Sequence, residues 1–169
     1  MGALADFLTD QEETLRREAG EARRIREEWL EAIGHLFADI ERWIADADNG
    51  RQLLTFEPTT SETRESKLGR YAIPTLSVRL GSRVATIVPR SRFMVASIET
   101  PGQPERRCDG MVEIRDGVTA THYLFRLMNP DGDDWFIQSV ERWNSDPKFG
   151  RVDPLDQEHF EAALKYVLV

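Results

Sequence analysis

The chain has 169 residues, a net charge of -8, three histidines and one cysteine. That length supports a core of its own without metal or disulfide staples, and Cys108 alone excludes an internal disulfide. The opening MGALADFLTDQEE has neither the basic nor the apolar region of a secretory signal, and Gly2 lacks the downstream hydroxyl residue of a myristoylation motif. No run approaches the roughly 18 apolar residues of a membrane span, so the sequence predicts a cytoplasmic chain without membrane contact.

Taken in chain order, the first element is the clearest. Between Thr9 and Asp48 there is no proline, and apolar residues recur at helical period. Thr9 and Glu12 fit a capping box, and Asn49-Gly50 supplies a left-handed stop. Leu15, Ala22, Trp29, Leu36 and Trp43 repeat every seven residues, and Ala19, Arg26, Ile33, Ile40 and Ala47 follow each by four, giving one seam along the helix. From Trp29 onward Leu30, Phe37 and Ile44 widen the seam, whereas the first half offers only Leu15, Ile25 and alanines among charges. The second half is therefore the expected anchor, with Ile40 and Trp43 on the sheet. The first half, through Leu15, Ala19, Ala22, Ile25 and Trp29, is the expected surface for association.

After Gly50 the period shifts toward two. Strands are expected near 53–57, 70–80, 83–88, 93–99, 107–115, 118–128 and 134–143, with tight turns at Gly81-Ser82 and Asp116-Gly117. Residues 57–68, with Pro58 and a Thr/Ser/Glu/Arg cluster, read as a mobile loop. A last helix is expected over 153–168, with Asp153 as cap and Pro154 in the first position. These elements predict a single α+β domain over 1–169. A long N-terminal amphipathic helix (9–48) and a short C-terminal helix pack on one face of a curved antiparallel meander of six or seven strands (51–143).

The charge is uneven. Residues 63–98 hold seven Lys or Arg against one acid, whereas residues 1–50 hold 13 acids against six basic residues. Arg64, Lys67, Arg70, Arg79, Arg83, Arg90 and Arg92 form a field able to steer an anion, although acidic helices neutralising a basic sheet explain the same pattern. The overall negative charge and the lack of an RNA or DNA motif argue against nucleic acid.

Little points to catalysis. His35, His122 and His159 lie far apart and outside any ligand-spaced motif, so no metal or cofactor is expected. The acidic turn 131–134 begins like a calcium loop, but Trp135 stands where an oxygen ligand belongs. With a two-residue turn at Asp116-Gly117, Glu113 faces Ala120 and Met111 faces His122, which places Asp109, Glu113, His122 and Arg126 on one hairpin face. The cluster is a possible ligand site, but a mixed polar set is also what any solvated hairpin face carries, and that reading is preferred. Trp135 and Trp143 need a second cover or a ligand.

Two functions of different class follow. One is a non-enzymatic interaction or adaptor module, homo-oligomeric through its N-terminal helix, since a helix of about 60 Å outruns a domain of this size. The other is a small-ligand or anion carrier, or an enzyme, with a pocket between helix and sheet.

Overall fold

A computed structural model describes residues 2–143 and 146–169, the side chain of Trp143 excepted, so the cover expected for that indole lies outside the described residues. Helix α1 runs over Ala3–Asp48. It starts a turn and a half before Thr9: the carbonyl of Gly2 accepts the first N–H bonds, from Ala5 and Asp6. Thr9 is interior and donates its hydroxyl to the Ala5 carbonyl at 3.0 Å, while Glu12 pairs with Arg16 at 3.1 Å. The capping box is thus spent on helix-internal contacts, as hydroxyls within a helix commonly are.

The end of α1 is as expected, with Asn49 left-handed at φ 48°. The Asp48 carboxylate then accepts the N–H groups of Leu54, Gln52 and Leu53, which turns the chain into the sheet and lowers its pKa. Among the described residues, no helix is long and apolar enough to cross a membrane.

Seven strands form an antiparallel sheet: β1 (Leu54–Glu65), β2 (Gly69–Leu80), β3 (Arg83–Ser91), β6 (Met111–Arg115), β7 (Ala120–Asn129), β8 (Gly132–Trp143) and β9 (Asp146–Pro154). They lie side by side in that order, so the sheet is the expected meander. The β3–β6 connection carries a separate two-stranded ribbon, β4 (Ser97–Ile98) with β5 (Arg106–Arg107). That ribbon replaces the single strand expected over 93–99.

Three boundaries differ from the sequence reading. The expected loop 57–68 is mostly strand β1, paired with β2 from Leu54 opposite Leu80 to Glu65 opposite Gly69. Its exposed Thr, Ser and Glu residues look like a loop in one dimension, and Pro58 is tolerated because β1 is an edge. Strand β9 was not expected at all. Asp153 and Pro154 close β9 rather than open a helix; α2 covers Gln157–Leu168 and is capped by Asp156, whose carboxylate accepts the His159 N–H at 2.9 Å.

Both helices cover one face of the sheet. Trp29, Ile33, Leu36, Ile40 and Ile44 of α1 and Phe160 and Leu164 of α2 bury against Ile73, Leu76, Val78, Ile87, Ile114 and Leu124. Trp43 is only half-buried and lies 5.7 Å from the Phe160 ring. The other face carries a smaller cluster of Ile98, Cys108, Phe125 and Leu127 beneath the ribbon. There burial, helped by Asp109, pushes the Cys108 thiol up to about 11, which leaves it unreactive.

Candidate functional site

A run of exposed large apolar residues lies on the N-terminal part of α1. From Ala3 to Glu21 every residue is exposed except the half-exposed Thr14, and Leu4, Phe7, Leu8 and Leu15 keep 55–69% of their surface in solvent. Of the five residues expected to serve association, Leu15 and Ala19 lie on this arm. Ala22 and Ile25 are partly buried at its root, and Trp29 is fully buried in the core. Leu4, Phe7 and Leu8 were missed because the helix was expected to begin at Thr9. The signal was present: they continue the spacing of Leu15 by a further two turns. Charge is graded along the arm, with Asp6, Asp10, Glu12 and Glu13 first and Arg16, Arg17, Arg23 and Arg24 after, interrupted by Glu18 and Glu21.

The polar hairpin cluster is not assembled. In the observed register Ile114 faces His122, Glu113 faces Tyr123 and Met111 faces Phe125, with an irregularity between Ile114 and Arg115. The turn is longer than two residues: the Asp116 N–H bonds the Thr119 carbonyl, and its carboxylate accepts the Val118 and Thr119 N–H groups at 2.9 Å. From His122 onward the offset from the expected register is odd, so those β7 side chains exchange faces. His122 and Arg126 consequently turn toward the helices. Glu113 stays on the opposite face, where Arg90 and Arg115 reach it at 2.7 and 2.8 Å. Asp109 accepts the Met128 N–H at 2.8 Å.

Arg126 joins a different set, which local spacing does not reveal. It is 3% exposed, lies over the Trp29 ring at 5.7 Å, and pairs with Glu28 of α1 and, at 2.8 Å, with Asp133. Arg92 adds contacts to Glu28 at 3.4 Å and to the Asp109 carbonyl at 3.0 Å. Burial opposes ionisation of Glu28, but the contacts from Arg126 and Arg92 outweigh it and hold the carboxyl below its ordinary range. Two acids meet two arginines, so the set fastens α1 to the sheet without net charge. Arg126→Ala strands Glu28 and Asp133, both of which still reach water, and should cost about 2–3 kcal/mol in denaturant unfolding. A loss under about 0.5 kcal/mol would show that the pair contributes nothing.

His122 lines an open cleft of about 390 Å³ between α2 and β7–β9, together with His159, Asp153 and Tyr166. Its Nδ1 lies 2.9 Å from the Thr121 hydroxyl, and its ring meets Tyr166 edge-on at 5.7 Å. Desolvation lowers its pKa to about 4. The unfolded chain therefore binds the extra proton first. The neutral ring's contribution is complete above about pH 6.5 and is lost as pH falls toward 4, a change on the order of 1–3 kcal/mol. His122→Gln should flatten stability between those limits, measured by urea unfolding at several pH values; an unchanged slope would assign it to other groups. His159 engages Asp156 at 2.7 Å, and no carboxylate lies within ion-pair distance of His122 among the described residues, so the cleft holds no acid–base pair on that imidazole.

No protein-family model, curated protein or solved structure matches the chain. The functional reading rests on the residues themselves.

Proposed function

We propose that this chain is a non-enzymatic interaction module that self-associates through residues 3–25 of α1, two copies pairing antiparallel. The observation that carries the reading is the arm itself: a continuous helical segment standing clear of the sheet with Leu4, Phe7, Leu8 and Leu15 in solvent. An isolated helix of this length is marginal in water, and monomeric domains do not ordinarily leave so long a line of large apolar residues uncovered.

A second copy is the occupant that the charges favour. Laid antiparallel and crossing near Leu15, the acidic turns around Asp6 and Glu13 of one copy meet Arg24 and Arg17 of the other and Leu8 meets Ala22, with Glu12 opposite Glu18 the one like-charge meeting among them. A parallel pair sets acid against acid and base against base, which opposes that orientation.

Light scattering on the full chain at tens of micromolar should give twice 19.4 kDa, and a monomer would sink the reading. Orientation is checked separately by mixing Leu8→Cys and Ala22→Cys chains under mild oxidation. An antiparallel pair joins the two variants to each other, whereas a parallel pair joins each to itself; the native Cys108 is buried and does not compete.

A further inference from the structure

A second feature, independent of the arm, lies on the basic segment. Between the β1–β2 turn and the ribbon is an open pocket of about 310 Å³. Its walls carry Arg64, Lys67, Arg90 and Arg107 around Phe93, and Glu65 is the one acid among its lining residues. Glu65 offsets one of the four cations and leaves the lining net positive, and its oxygens are occupied by neutral donors. One accepts the Tyr71 hydroxyl, and the other accepts the backbone N–H groups of Arg92 at 2.9 Å and Phe93 at 3.3 Å.

The cations are left short of partners. Arg90 shares Glu113 with Arg115. Arg107 donates to the Met94 carbonyl at 2.8 Å, and Lys67 lies 5.0 Å above the Phe93 ring. Among the described residues, Arg64, Lys67 and Arg107 form no ion pair. Arg64 also stands directly opposite Arg70 across β1 and β2, and Arg70 approaches Glu62 only at 3.9 Å. Like charges facing each other across a ladder weaken it, and among the described residues the long Arg70–Glu62 contact offsets this only in part.

We infer that this pocket binds a small phosphate-bearing anion, its phosphate held by Arg64, Lys67, Arg90 and Arg107 and its organic part resting on Phe93. Guanidinium forks match phosphate oxygens in geometry and charge, and the volume lies at the lower end of small-molecule sites. Lys67 and Arg92 both lie 5.0 Å from the Phe93 centroid, so the ring offers the attached group an apolar contact once Lys67 turns to the phosphate, a contact that an inorganic ion does not use.

The test is calorimetric titration of the full chain with inorganic pyrophosphate and with phenyl phosphate, at low and high salt. Saturable binding that weakens with salt is expected for both. Arg64→Ala/Lys67→Ala should weaken each by about tenfold or more without lowering the melting temperature, since both side chains are exposed and Arg64 faces Arg70. Arg42→Ala/Arg151→Ala removes the same charge from exposed positions elsewhere and should change affinity by no more than about twofold. Phe93→Leu should weaken phenyl phosphate more than pyrophosphate. Absence of saturable binding, or equal losses in the two double variants, overturns the inference; equal losses of both anions in Phe93→Leu overturn the role given to the ring.

Discussion

Trp29→Ala is expected to cost about 3–5 kcal/mol, enough to leave much of the population unfolded at room temperature. The indole is fully buried, stacks at 6.4 Å on Trp135 and lies beneath the Arg126 guanidinium. Gly110 is pressed against it so closely that a Cβ there would stand 2.5 Å from the ring. An alanine at 29 leaves a void that Gly110 has no side chain to fill, and it uncovers the Glu28–Arg126 pair. Trp43→Ala should cost less, about 2 kcal/mol, because that ring is only partly buried. Urea unfolding of the two variants decides the order. Equal costs, or a greater loss at Trp43, would place the chief anchor of α1 one helix segment later than the burial indicates.

Removing residues 2–21 is expected to abolish self-association while the domain stays folded. The deleted segment is exposed throughout, Thr14 partly so, and the first residues packed on the core are Ala22 and Ile25. Its loss should move the melting temperature by no more than about 4 °C beyond the shift caused by dissociation. The measurement pairs thermal melting with light scattering. A truncated chain that is unfolded makes the arm part of the folding unit, and one that still dimerises places the interface elsewhere. Leu8→Glu/Leu15→Glu should reproduce the dissociation in the full-length chain, since two charges at an apolar seam lack partners.

Much of the architecture was legible. Helical period with no proline marks α1, and the period-two runs separated by glycine turns mark most of the meander. Residues 57–68 and 146–154 were not legible as strands, because edge strands bury little and need no alternating apolar face. Of the candidate site, Leu15 and Ala19 were legible as an exposed seam, whereas Leu4, Phe7 and Leu8 were hidden by a plausible capping box that the helix does not use.

The sequence by itself determined the class of fold, the C-terminal end and amphipathic grading of the long helix, and the concentration of positive charge in residues 63–98. Each is a local or summed property, readable from spacing and composition. Only the tertiary structure decided which residues meet. A four-residue turn with an irregular step at Ile114 and Arg115, where two residues were expected, carries His122 and Arg126 from the solvated face to the covered one. Arg126 then finds Glu28, 98 positions away, and Arg64 finds Arg107 across a pocket, because strand pairing and helix docking join segments that no local periodicity relates.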